Sequence, residues 1–243
     1  MAHSTNLAPD HLDPPDGHDG WVDRPNDHTK PLPPQPITYE ALLDWLDEDV
    51  LAEWVDGTIE MASPASLRHQ MIKMFLAEVF STYARLHDLG RVVDAPFQMK
   101  ITKSGREPDI LFVAKAHMDR IRTTFVDGLA DLVVEVMSAE SAVRDSTTKV
   151  SEYSAAGIPE YWLIDPMVDE VTFYQLDATG RDYQEIAPDA NGVYHSRALP
   201  GFWLRVAWLW AQPLPPTGAD ALLEIDPNGY GRYMQERMRQ AGL

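Results

Sequence analysis

A chain of 243 residues, 44% of them hydrophobic and 24% charged, is long enough for one well-buried core and has a globular rather than a disordered or fibrous composition. Its 20 basic and 38 acidic residues leave a net charge of -18, which opposes capture of nucleic acid by long-range attraction but leaves room for a local basic groove. With no cysteine, disulfides, thiolate zinc sites and cysteine nucleophiles are excluded, so a metal would need oxygen or imidazole ligands, which favours magnesium, manganese or calcium. Residues 1–36 hold eight of the 19 prolines, four of the eight histidines, six Asp, one Arg and one Lys. They read as a disordered Pro/Asp-rich arm. This start lacks the basic and apolar stretches of a signal peptide, and no apolar run reaches the roughly 18 residues of a membrane span. A cytoplasmic protein with no membrane contact is the expectation.

Structured text begins at Thr38, an N-cap candidate followed by Leu42, Leu43 and Leu46 at helical spacing. Asp56-Gly57 between two short alternating runs predicts a β-hairpin with Glu53 and Glu60 on its arms. From Ser66 to about Asp88 a long helix is expected, with Ile72, Phe75, Leu76, Val79, Tyr83 and Leu86 facing inward and Gly90 ending it. Three strands follow, over residues 91–101, 108–113 and 131–137. The last two are nearly continuous apolar runs, as in strands covered on both faces. A helix over about 143–156 stops at Gly157, with Pro159 beyond, and a buried strand resumes at Glu160; strand, helix and strand make a right-handed crossover. Residues 171–176 and 202–206 add antiparallel strands, and a Pro-rich link leads to a last amphipathic helix near Tyr230 to Gln240. The domain reading is therefore an arm (1–36), one mixed α/β domain (37–211), and a linker with a C-terminal helix (212–243).

Each buried strand run is broken by one acid, Asp109 or Glu135. A carboxylate in an apolar strand costs several kcal/mol unless it is paired, neutralised or bound to a cation. Two such acids on successive strands point to a Mg2+ or Mn2+ site, since these ions keep several waters and need few protein carboxylates. The competing reading places both acids at strand ends, exposed or bridged to an arginine. Asp145 and Lys149, four apart on a helix, read from spacing alone as a surface ion pair. His69 falls on the inward face of the long helix, where a core histidine is the commoner outcome.

Residues 53–61 (GluTrpValAspGlyThrIleGluMet), 63–70 (SerProAlaSerLeuArgHisGln), 107–113 (GluProAspIleLeuPheVal), 132–138 (LeuValValGluValMetSer), 144–149 (ArgAspSerThrThrLys) and 153–165 (TyrSerAlaAlaGlyIleProGluTyrTrpLeuIleAsp) together resemble the Uma2 family of restriction endonucleases, which has the PD-(D/E)XK nuclease fold. The resemblance spans roughly residues 38–210 and omits the arm and the last helix. It implies a restriction-endonuclease-like core of helix, three strands, helix and strand, with an added N-terminal helix and hairpin and C-terminal strands.

By this resemblance Asp109 is the Asp of the PD motif and Glu135 the acid of the (D/E)XK motif, both ligating the metal. Met137 stands where the motif's lysine would be, and the resemblance implies that Lys149, on the following helix, takes its place. Glu53 matches the family's Glu before the Asp-Gly turn and is a third metal-ligand candidate, with a solvated hairpin acid as its alternative. His69 matches a His-Gln pair and is a catalytic candidate that holds a water or phosphate. Gln98 and Lys100 are candidate phosphate contacts, while Tyr153 and Trp162 read as packing residues. The function implied is a Mg2+-dependent endonuclease acting on DNA through metal-activated water, with a homodimer as its assembly. The alternative is a nuclease-fold binding module of weak or lost activity, favoured by Met137 and by the acidic charge; an acidic metallohydrolase of small phosphoesters is a third.

Overall fold

A computed structural model describes residues 31–46, 50, 52–61, 65–102, 104–138, 144–211 and 217–242. Most of the Pro/Asp-rich arm, with its four histidines, and the Pro-rich link at 212–216 lie outside the described residues. So does the side chain of Asp145. The elements belong to the unit that begins at Pro33.

The first helix, α1 (Tyr39–Trp45), starts where expected, because the Thr38 hydroxyl accepts the amide of Ala41. Strands β1 (Ala52–Val55) and β2 (Thr58–Met61) form the hairpin. Its turn places Asp56 at φ 47° and Gly57 at φ 87°, the left-handed pair that a two-residue turn requires. Tyr39 and Leu42 of α1 pack with Ala52 and Ile59 of this hairpin in a small core of their own.

The long helix α2 (Leu67–Leu86), capped by Ser66, turns into β3 (Gly90–Asp94). Gly90 cannot be replaced, since an added Cβ would lie 2.1 Å from the carbonyl oxygen of Val113. The single strand expected over 91–101 is two strands in two sheets. Pro96, which follows a cis bond and has no N–H to give a ladder, interrupts it. Strand β4 (Gln98–Ile101) then joins the other sheet with β5 (Ser104–Arg106). The chain crosses back between sheets at Arg106-Glu107-Pro108-Asp109, entering β6 (Ile110–Ala114). After β7 (Phe125–Asp127) and β8 (Leu132–Val136), a π-helical turn over Arg144–Lys149 leads into α3 (Val150–Ala156). Gly157 at φ 92° ends it, and β9 (Glu160–Asp165) follows.

Strands β10 (Glu170–Leu176) and β11 (Tyr183–Glu185) complete a six-stranded mixed sheet in the order β11-β10-β9-β8-β6-β3, in which only β8 and β9 are parallel. The second sheet, also mixed, runs β2-β1-β5-β4-β7 with β4 and β7 parallel. Strands β12 (Val193–His195) and β13 (Trp203–Arg205) pair antiparallel by themselves. Helix α4 (Gly218–Ile225), which the sequence reading did not anticipate, precedes the expected last helix α5 (Pro227–Gln240). No described helix is long and apolar enough to cross a membrane.

The period-2 pleat explains the apolar runs. Ile110, Phe112, Leu132, Val134, Trp162 and Ile164 share one core with α2 residues Ile72, Leu76, Val79 and Phe80. The intervening Leu111, Val113, Val133, Tyr161 and Leu163 face a second core with Met99, Ile101, Val126 and Tyr153. Glu135, between Val133 and Met137 on the pleat, belongs to that second face, where α3 lies.

Candidate active site

Four pieces of chain meet where the two sheets exchange strands. Glu53 comes from β1, Glu107 and Asp109 from the crossing into β6, Glu135 from the end of β8, and Lys149 from the turn that opens α3. Asp109 is not inside its strand. It stands one residue before β6, with 15% of its side chain exposed, which is the strand-end alternative and not an acid inside a buried strand. One oxygen, Oδ2, accepts the Val136 amide at 2.7 Å, and Oδ1 meets Nε2 of His69 at 2.9 Å. Asp109 is thus tethered to the residue next to Glu135 on one side and to α2 on the other.

Glu135 is buried, and its Oε1 accepts from Lys149 Nζ at 2.8 Å and from the Tyr153 hydroxyl at 2.9 Å. Lys149 Nζ also stands 3.1 Å from Oε1 of Glu53. Lys149 is only 4% exposed, so the surface ion pair that spacing alone suggested is not what the fold makes of it. Residues 149, 152 and 153 lie three and four apart, and this brings Lys149, Glu152 and Tyr153 to the same flank of α3.

Arg106 lies beneath these groups, 1% exposed. Its Nη1 donates to Glu53 Oε2 at 3.0 Å and reaches Glu60 at 3.5 Å, while Nε and Nη2 grip Glu152 Oε2 at 3.0 and 2.5 Å. Glu53 also accepts the Glu107 amide at 3.1 Å. Burial pushes the Glu53 carboxyl up, but Lys149 and Arg106 outweigh it and hold the group down at about 2. Glu107 has no direct ion pair among the described residues, and the charges of Lys73 and Lys149 only partly offset its burial. Burial, reinforced by the Glu53 charge, lifts it to about 7 against the opposing hydrogen bond from Gln98. Burial beside Glu135 raises the Tyr153 hydroxyl well above its ordinary value, so it stays a donor.

Of the residues singled out from sequence, Lys149 contacts both Glu53 and Glu135, and Asp109 and His69 form a pair tied to Glu135 through the adjoining Val136. His69 is buried and its Nδ1 has no partner among the described residues, so the hydrogen bond of its ring is the one with Asp109. Gln98 is buried and donates to Ala52 O and Glu107, each at 2.8 Å. Lys100 points elsewhere, to Glu40 at 2.8 Å and over the Tyr39 ring. Trp162 is fully buried among Phe80, Phe173 and Tyr194. Among the described residues, no three Asp, Glu or His side chains gather at one point in the manner of a preformed ion cage.

Sequence reasoning overlooked Arg106, Glu107, Glu152 and the hydroxyl of Tyr153. The signals were present: an arginine and a glutamate directly before Pro108-Asp109, and an acid and a tyrosine at helical spacing after Lys149.

A family model named Uma2 and described as "Putative restriction endonuclease" matches residues 38–207. Among solved structures, one described as a "putative nuclease belonging to DUF820 from Anabaena variabilis ATCC 29413" has a similar fold, with a TM-score of 0.62 at 17% identity, covering 72% of this chain and 98% of that one. No curated protein matches the sequence.

Proposed function

The chain belongs to the Uma2 family, and from this premise we propose that it is a Mg2+- or Mn2+-dependent endonuclease that hydrolyses DNA phosphodiester bonds. The reading takes the six-stranded sheet with α2 and α3 as a restriction-endonuclease-like core: helix, three strands, helix, strand. The observation that carries it is the lodging of the Lys149 ammonium between Glu135 and Glu53, with Asp109 bonded to the neighbouring Val136 amide.

Asp109 and Glu135 offer only oxygen donors at adjoining strand ends, a donor chemistry that suits Mg2+ or Mn2+, and Glu53 is the third carboxylate within reach of the same lysine. A bound ion would supply water activation and offset charge on the phosphate. Lys149 Nζ has three protons to direct; with one turned to an attacking water and the others to Glu135 and Glu53, it orients the nucleophile and stabilises charge developing on the phosphoryl oxygens. His69, with Nε2–H donated to Asp109 and Nδ1 enclosed, fixes the direction of the Asp109 carboxylate. Tyr153 does the same for Glu135. A symmetric pair of protomers, each cutting one strand, is the assembly that accompanies duplex cleavage.

The test is cleavage of supercoiled and linear DNA with Mg2+ or Mn2+ by wild type, Asp109→Ala and Lys149→Ala. Cutting that needs the metal and disappears in both variants supports the reading; no cutting by wild type above the variants, across metals, pH and salt, removes it.

A second reading, a nuclease-fold binding module with little activity, draws on the same ion pairs. Lys149 already satisfies Glu135 and Glu53, and the chain's charge of -18 opposes phosphate backbones. Calorimetric Mg2+ titration separates the two, since only the nuclease reading needs an ion bound through Asp109.

A further inference from the structure

Arg106 is the most enclosed cation of the site, and charge neutralisation of Glu53 does not account for its contacts. Lys149 already faces Glu53 at 3.1 Å. A second cation there would be redundant if neutralisation were the whole purpose, and enclosing a guanidinium has its own desolvation penalty. What distinguishes Arg106 is its span. One edge of the fork reaches Glu53 on β1, and the other holds Glu152 on α3 through two N–H groups. Ser104, two residues earlier on the same strand, also donates to Glu152. Glu152 is three residues beyond Lys149, on the same flank of the helix. The link therefore fixes α3 to β5 within one turn of the lysine.

We propose that Arg106 is a positioning residue: by clamping Glu152 to Glu53 it sets the placement of α3 that holds Lys149 against Glu53 and Glu135. The catalytic consequence rests on the nuclease reading; the clamp itself does not. A lysine at 106 would keep the charge but lose the planar fork that serves two carboxylates at once. Glu152→Gln would keep the shape of the side chain while removing the charge that Arg106 grips.

The experiment compares the full chain with Arg106→Lys and Glu152→Gln, each melted beside wild type to show that it is folded. Lysines are acylated with a succinimidyl ester and read by mass spectrometry, a measurement independent of any activity. Lys149 is expected to react about tenfold faster or more in both variants, because the helix turn that shields it opens locally, while the mostly exposed Lys115 reacts as before. DNA cleavage with Mg2+ is read in parallel, with kcat expected to fall about 100-fold from misplacement of the lysine while KM stays near its wild-type value. Lys149 protected to the wild-type extent in both variants would overturn the proposal, leaving Arg106 as charge compensation only. If Arg106→Lys does not fold, Glu152→Gln decides by the same criterion. A wild type that cuts no DNA would remove the nuclease reading, and the labelling would still judge the clamp.

Discussion

Asp109 Oδ2 accepts the backbone amide of Val136 at 2.7 Å, so the entrance of one strand is fastened to the exit of the next, one residue from Glu135. This bond separates the chemical role of Asp109 from its structural one. In Asp109→Ala the Val136 amide loses its acceptor, at about 1–3 kcal/mol for a donor left unmade. Asp109→Asn keeps an oxygen for that amide and removes the negative charge, while its NH2 is accommodated if His69 moves its proton to Nδ1 and accepts at Nε2. The expected outcome is that both variants lose metal-dependent cleavage, whereas only Asp109→Ala melts substantially below wild type. Equal melting losses would show that the tether contributes nothing.

Lys149 holds two buried carboxylates apart, and its removal should expose a need for a replacement cation. Lys149→Met leaves Glu53 with Arg106 but takes from Glu135 the ammonium that faces it at 2.8 Å, and breaking a buried pair from one side costs about 3–5 kcal/mol. The variant is therefore expected to melt well below wild type in chelator. Added Mg2+ should then raise its melting temperature more than it raises that of wild type, because an ion that binds the folded state alone stabilises it. No difference in Mg2+ response would show that the carboxylates do not gather round a cation.

Glu53 and Glu107 have opposite pH signatures. The Glu53 carboxyl is held at about 2 in the folded state, below its unfolded value, so its stabilisation is complete above about pH 4.5 and is lost as pH falls toward 2. Glu107 is raised to about 7. Between about pH 4.5 and 7 the folded protein binds the proton that the unfolded chain has released, and stability therefore falls as pH rises through that window. Glu107→Gln should flatten this decline and gain stability over wild type at pH 8, by about 1 kcal/mol or more. Urea denaturation at pH 5, 6, 7 and 8 measures the slope; a slope unchanged by the variant would place the titration elsewhere.

Much of this architecture was legible because its signals are local. Thr38, Asp56-Gly57, Ser66 and Gly157 each fix a cap or turn by their own chemistry, and the structure uses all four as caps or turns. The apolar runs around Glu135 disclosed a strand covered on both faces. What the sequence concealed is long-range pairing. Residues 91–101 read as one strand because their alternation is continuous, and only the sheet exchange at Pro96 divides them. From spacing alone Lys149 read as a surface residue because Asp145 is its neighbour in sequence, and only the family resemblance marked it as a site residue; its contacts, Glu135 and Glu53, lie 14 and 96 positions away. Arg106 stood beside Pro108-Asp109, but its burial could not be read there, since a buried arginine is recognised by the acids that the fold brings to it. Helix α4 was hidden beside a Pro-rich link whose composition dominated the reading.

Glu160 is a buried carboxylate away from the candidate site, and it has no cation among its described contacts. Fully enclosed, it accepts from Trp162 Nε1 at 2.7 Å, Tyr194 OH at 2.9 Å, Ser196 Oγ at 3.2 Å and the amides of Arg197 and Ala198 at 2.7 Å each. Five neutral donors around one carboxylate replace the hydration that it lost, and they join β9 to β12 and the segment that leads on to β13. Glu160→Ala would strand all five donors in an apolar setting, with an expected loss of about 3–5 kcal/mol, comparable to breaking a buried charge network from one side. Glu160→Gln keeps the shape but turns an NH2 toward groups that are themselves donors, so it should recover only part of that loss. Urea midpoints measure the total, and hydrogen exchange at the Arg197 and Ala198 amides localises it. Fast exchange there in both variants, with the α2 core still protected, is the expected pattern. Uniform loss of protection would mean instead that Glu160 supports the whole sheet rather than this joint.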